Sequence, residues 1–236
     1  MADGQYVHIH ADDDFYTPGA LERLLAVLKS RDFDAVVLSN NYLNTLNGRI
    51  MPNTEESDDI LCERDGEKFF LNESLKTLCV TNIVVNRERS LAIPNIERYY
   101  GCNWLHIAIL TELVKPESST YIFSYRDPIM TVRLGNQKWL DREGGIAYFY
   151  SALVLFKSLT ARGYSKRVFD HFKLLFTPLV MNGGALNFTS VWKNLDYCVK
   201  FLSIFGDSPI KYLGFCARLL MKKHRPFFTG WEKMGM

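Results

Sequence analysis

The chain has 236 residues, 47% of them hydrophobic and 14% aromatic, with a formal net charge of +2. This composition argues against disorder and suits one medium-sized globular unit, or one and a half. No apolar run reaches the ~18 residues of a membrane-crossing helix, and the five scattered cysteines, none in a CxxC pair, suggest neither a zinc site nor a disulfide framework.

The N-terminal MADGQYVHIH lacks a basic segment followed by an apolar one, so no secretory leader is read and a cytosolic location is expected. Tyr6–His10 alternates in β-forming residues and predicts a strand. Three aspartates follow, Asp12, Asp13 and Asp14. Thr17 and Pro18 then predict a helix start, with Thr17 as N-cap. Leu21, Leu24, Leu25 and Leu28 fall on one helical face. Ala35–Leu38 is short and apolar, as in a buried strand. Asn40 to Arg64 is polar and reads as a long loop. Lys68–Leu78 predicts a helix, Val80–Val85 a strand, Asn103–Val114 a helix, and Tyr121–Tyr125 and Ile129–Arg133 two more strands.

After about residue 140 strand signals fade. Gly145–Leu159, Arg167–Val180, Leu186–Phe205 and Ile210–Met221 read as helices, broken at Gly183-Gly184 and Asp207-Ser208-Pro209. The expected organisation is an α/β region over residues 1–140 and a helical region over 141–236.

Adjacent carboxylates repel, and a strand's carboxyl end is where open α/β sheets bind ligands. Two readings stay open for the acidic turn. It is either a site for Mg²⁺ or Mn²⁺, which take oxygen ligands from one or two carboxylates and substrate phosphates, or an acidic turn that caps the following helix. An EF-hand loop fits worse, because the acids are consecutive and no upstream helix is predicted. His8 and His10 flank Ile9 and share a strand face, but a metal site there lacks a further ligand.

The stretch GQYVHIHADDDFYTPGALERLL resembles the middle of family 2 glycosyltransferases, which have the Rossmann-like GT-A fold. VTNIVVNRERS, YYGCNWLHIAIL and TVRLGNQKWL, in that order, resemble the abequosyltransferase-like branch, which builds surface polysaccharides. The resemblance covers roughly Gly4 to Leu140. It implies a partial GT-A sheet with Asp13 as metal ligand, Asp12 on the nucleotide sugar and Asp14 supporting both in catalysis. It also implies inversion at the sugar carbon and a saccharide or lipid-linked acceptor. In that family a nucleotide-binding front half precedes the acidic motif. Here the motif begins at residue 12, so the expectation is a truncated enzyme, with an inactive remnant or a partner-binding subunit as the alternative.

Glycosyl transfer needs a counter-charge for the leaving diphosphate and a base for the acceptor hydroxyl. The family's usual Glu-Asp pair falls at Cys102-Asn103-Trp104, and Asn cannot serve as base. His106, three residues on and near the same helix face, is the candidate base. Asn103 and Trp104 are expected at the substrate. Arg133 and Asn136 end a strand-like run, and Arg133 can grip phosphate oxygens. Trp139 reads as core.

From Tyr197 to Met236, Lys and Arg outnumber acids, and KKHRPFF sets Lys222, Lys223, His224 and Arg225 beside Phe227 and Phe228. Contact with an anionic membrane surface on its inner face is expected there. Nucleic acid is not an expected partner, because the α/β region does not interleave basic and aromatic residues.

Overall fold

The computed structural model describes residues 3–45, 47–52, 61–63, 65–116, 122–134 and 145–182. The predicted helices Leu186–Phe205 and Ile210–Met221, together with Asn136, Trp139 and KKHRPFF, lie outside the described residues. The chain divides into two units. One is Met1–Asn136 with Ala161–Val168, and the other is Gln137–Thr160 with Phe169–Met236.

The first unit is mixed α/β. Its strands are β1 (Tyr6–His8), β2 (Phe15–Tyr16), β3 (Ala35–Asn44), β4 (Arg49–Met51), β5 (Leu61–Glu63), β6 (Ile83–Asn86) and β7 (Ile122–Leu134). They join one sheet in the order β1-β6-β3-β7-β2, with β4 on β3 and β5 on β7. β3 runs parallel to β7 and antiparallel to β6, so the sheet is mixed. The helices are α1 (Ala20–Ser30), α2 (Gly66–Thr77), α3 (Arg87–Leu91) and α4 (Leu105–Leu113).

β3 extends six residues beyond Leu38, into the stretch expected to be loop. Pairing overrides its polar composition: Asn40 to Asn44 match Met130 to Leu134 of β7, and Tyr42 to Asn44 also match β4. β7 likewise fuses the two strands expected on either side of Pro128. Proline has no N–H for the ladder, and the β3–β7 register shifts on both sides of Ser39, which faces Pro128. The irregularity absorbs the proline within one continuous strand.

Helix α1 begins later than the Thr17-Pro18 signal implied. Its N-cap is Gly19, at φ 72°, a left-handed conformation that glycine adopts without strain. Thr17 does not cap the helix. Its hydroxyl reaches the Pro128 and Ile129 carbonyls at 3.0 and 3.2 Å. The buried stripe is Ala20 and Leu24, with Val27 and Leu28 partly buried against the same core. Leu21 and Leu25 of the expected face are 48% and 52% exposed. This core also holds Phe33, Val36, Leu38, Val84, Phe123, Tyr125, Ile129 and Met130.

Gly66, which opens α2, is fixed by close approach. A Cβ there would stand 2.5 Å from the Val114 carbonyl oxygen. The returning segment Ala161–Val168 is pinned to this unit. Arg162 pairs with Glu112 at 3.1 Å, the Tyr164 hydroxyl donates to the Thr111 carbonyl at 3.2 Å, and the Ser165 N–H and hydroxyl bond the Glu67 carboxylate.

In the second unit, α5 (Gly145–Ser158) and most of α6 (Lys166–Asn182) pair through aromatic rings. Phe156 stacks on Phe172 at 3.5 Å between centroids, and Phe176 lies 5.7 Å from Phe156. Among the described residues no helix is long and apolar enough to cross a membrane.

Candidate functional site

β1 delivers the chain to the acidic turn, and β2 carries it away. Asp12 is exposed and Asp13 half-buried. Neither makes a hydrogen bond or ion pair with another described residue. Asp14 differs. The Thr81 hydroxyl donates to its Oδ2 at 2.6 Å, and the Arg133 backbone N–H donates to its Oδ1 at 3.1 Å. Its two oxygens are thus engaged in holding the turn to the end of β7 and to the segment before β6. The supporting catalytic part expected of Asp14 becomes a bracing one.

Val80–Val85, which starts in that segment, was expected to be a strand. Instead Val80–Asn82 forms a 3₁₀ turn, and β6 begins only at Ile83. The turn is tied in several directions. The Thr81 hydroxyl also accepts the Ala11 N–H at 3.3 Å. The Thr81 carbonyl accepts from His8 Nε2 at 2.6 Å. Asn82 Nδ2 donates to Asn40 Oδ1 at 2.6 Å and to the Lys76 carbonyl at 3.0 Å. Lys76 is itself buried, in an ion pair with Glu73 at 3.1 Å, and donates to the Tyr125 carbonyl at 3.0 Å.

His8 and His10 do share a face, with ring centroids 5.6 Å apart, and Tyr16 lies against both. Because His8 Nε2 must donate to the Thr81 carbonyl, the neutral ring leaves Nδ1 to accept, and the Tyr16 hydroxyl donates to it. Burial pushes the His8 pKa down, against the opposing pull of the Thr81 carbonyl. Burial pushes the Tyr16 phenol up. The Cys79 thiol is pushed up to about 11, by burial first and then by the nearby Asp14 charge, so it is an inert thiol near neutrality.

The α4 end is built differently from the expectation. Asn103 is exposed, but Trp104 is only 2% exposed, with its ring 5.9 Å from that of His106. Trp104 is therefore a core side chain and offers no open face to a sugar. His106 is 8% exposed, and its Nε2 has no hydrogen-bond partner among the described residues. Burial lowers its pKa to about 4, and a hydrogen bond with the Leu78 backbone opposes that shift. An unexposed nitrogen with so low a pKa is poorly placed to take a proton from a ligand at the surface.

Of the residues expected at the site from sequence, Asp12, Asp13, Asp14 and Arg133 among them, the fold brings the last two together through the Arg133 backbone. It missed Thr81, Asn82, Tyr16 and Asn40. One signal was available: the polar pair Thr81-Asn82 interrupts the apolar run of CVTNIVV, and polar residues there must find partners when buried. Among the described residues no three His, Cys, Asp or Glu side chains converge to hold a metal ion. Two carboxylate donors on one turn, without partners among the described residues, suit a hard divalent cation whose other ligands are water or phosphate. Asp12 and Asp13 are those donors.

No family model matches the chain, and no curated protein matches it.

Proposed function

We propose that this chain is a glycosyltransferase of the GT-A type, moving a sugar from a nucleoside diphosphate sugar to a saccharide or lipid-linked acceptor with inversion. The observation that carries the reading is the double bracing of Asp14 by Thr81 and Arg133. It sets Asp12 and Asp13, which make no hydrogen bond or ion pair with another described residue, on the same turn that the Arg133 backbone reaches from β7. Two anionic ligands and one guanidinium are the complement of a metal-bound diphosphate. The mixed sheet, with β1 ending at the acidic turn, is compatible with this fold.

Asp13 would hold Mg²⁺ or Mn²⁺, with Asp12 contributing to the metal or the donor. When bound, the ion offsets the charge that develops on the departing diphosphate. Arg133, exposed at the end of β7, would hold phosphate oxygens and orient the donor. Asp14 keeps both elements in place. His106, the base expected from its position after Asn103, stands away from solvent. The basic C-terminal KKHRPFF would add affinity for an anionic membrane carrying the acceptor.

Calorimetric titration of the full chain with a panel of nucleotide sugars and simple nucleotides, with and without Mn²⁺, tests the reading. Mn²⁺-dependent binding of at least one nucleotide sugar, tighter than its parent nucleotide, is the expected result. Equal binding with and without Mn²⁺ would contradict it.

A further inference from the structure

We propose that His8 is a positioning residue that clasps the acidic turn: one ring nitrogen holds Tyr16 at the turn's far end, and the other holds Thr81, which grips the turn itself. What the turn binds rests on the glycosyltransferase reading; that His8 clasps it rests on the hydrogen bonds around it.

The turn is closed twice. In the inner closure the Asp14 N–H donates to the Ala11 carbonyl at 3.3 Å, a β-turn with Asp12 and Asp13 as its two central residues. The Thr81 hydroxyl bonds both ends of that turn, accepting the Ala11 N–H at 3.3 Å and donating to Asp14 Oδ2 at 2.6 Å. In the outer closure the Tyr16 hydroxyl donates to His8 Nδ1, with residues 9–15 between them. His8 Nε2 donates to the Thr81 carbonyl at 2.6 Å. One side chain therefore holds both the chain that leaves the turn and the residue that grips it.

The backbones of these residues are set independently. His8 pairs with Val84 of β6, Tyr16 pairs with Met130 of β7, and Thr81 lies in the 3₁₀ turn. β1 and β2 stand at opposite ends of the strand path β1-β6-β3-β7-β2, and the bond from Tyr16 to His8 joins those ends. Asp12 and Asp13 make no hydrogen bond or ion pair with another described residue, so the placing of their carboxylates depends on the two closures.

The bonds of His8 can be removed separately. Tyr16→Phe deletes only the hydroxyl that Nδ1 accepts. Glutamine at position 8 reaches the Nε2 position with a donor but has no acceptor at the Nδ1 position. Leucine supplies neither. Y16F should therefore matter when His8 is present and should add little in the H8Q background.

The test is amide hydrogen exchange on the full chain, read at Ala11 and Asp14, whose N–H groups close the turn, with Mn²⁺ titration of the same folded proteins. H8L should raise exchange at both amides by about tenfold, and H8Q and Y16F each by about threefold, as protection worth one or two hydrogen bonds is lost. In the H8Q background Y16F should add less than about 1.5-fold. Mn²⁺ affinity, which a loss of global stability does not move while the protein stays folded, should fall about tenfold in H8L and about threefold in Y16F. Y16F loses a single hydroxyl and keeps the test open should H8L fail to fold. Unchanged exchange in Y16F overturns the inference, as does an equal effect of Y16F in the wild-type and H8Q backgrounds. Faster exchange with native Mn²⁺ affinity also overturns it, because the clasp would then not position the aspartates. D13A separates the premises: if it binds Mn²⁺ like wild type, the glycosyltransferase reading fails, and the exchange data alone decide the role of His8.

Discussion

The backbone N–H of Arg133 donates to Asp14 Oδ1 at 3.1 Å, across 119 residues of chain, while the Thr81 hydroxyl occupies Asp14 Oδ2 at 2.6 Å. One carboxylate thus joins the end of β7, the acidic turn and the 3₁₀ segment before β6. Removing it leaves two donors unsatisfied in a half-buried place. Asp14→Ala should cost about 2 kcal/mol of stability, in the range for charge-assisted hydrogen bonds. The midpoint of urea unfolding measures this, and a cost below about 0.5 kcal/mol, as for an ordinary surface change, would show that the bracing carries no weight.

Acid should weaken the fold through His106. Its pKa lies near 4 when folded and near 6.5 when unfolded, so between those values the unfolded chain binds more protons. Stability is therefore level above about pH 6.5 and falls as pH drops toward 4, by roughly 3 kcal/mol from this group. The lowered pKa of His8 acts in the same direction. Unfolding of wild type and H106N at pH 7 and pH 4.5 should show a smaller acid loss in H106N. Identical losses would contradict the burial of an uncharged ring.

Glu112 is a second concentrated linkage. Its Oε1 takes Arg98 at 2.6 Å, the Tyr99 hydroxyl at 2.6 Å and Arg162 at 3.1 Å. Burial alone would raise its pKa, but the Tyr99 hydroxyl and the two guanidinium groups outweigh burial and hold it below the usual range. This stabilisation is present above the ordinary carboxylate pKa and is lost as pH falls through the lowered one. Glu112→Ala should lower stability by about 3 kcal/mol, since it removes the carboxylate that two neighbouring guanidinium groups share. Arg98 is about half exposed, which moderates the figure. Thermal unfolding at pH 7 checks it; an unchanged midpoint would mean the cluster is ornamental.

Gly66→Ala should destabilise by about 2 kcal/mol, because the added methyl meets a backbone oxygen that cannot rotate away. The same substitution in a helix interior would otherwise help by removing backbone freedom. A gain in stability would show that the α2 start and the Val114 carbonyl are further apart than described.

Much of the first unit is legible in local pattern. The apolar run Ala35–Leu38 is the fully buried start of β3, and the helices α2 and α4 lie where periodicity puts them. What misled was always a partner distant in sequence. Asn40 to Asn44 look like loop until β7 is laid beside them. Thr17 looks like a cap, but its hydroxyl is drawn to carbonyls more than a hundred residues away. Val80–Asn82 looks like strand, but Thr81 is bound by His8, Ala11 and Asp14, all about seventy residues upstream. At the site, the acidic residues were readable because like charges in sequence demand an explanation. Trp104 was not, because its type alone does not distinguish a buried ring from an exposed sugar platform.

We propose that Asp12 and Asp13 hold a divalent ion against a sugar donor's diphosphate. Mn²⁺ titration of wild type, D12A and D13A, followed by electron paramagnetic resonance in the presence of a nucleotide sugar, tests it most directly. The account predicts stoichiometric Mn²⁺ uptake by wild type, strengthened by the donor, at least about tenfold weaker binding in D12A and none in D13A. Uptake by D13A equal to that of wild type, or no uptake by wild type with donor present, would contradict it.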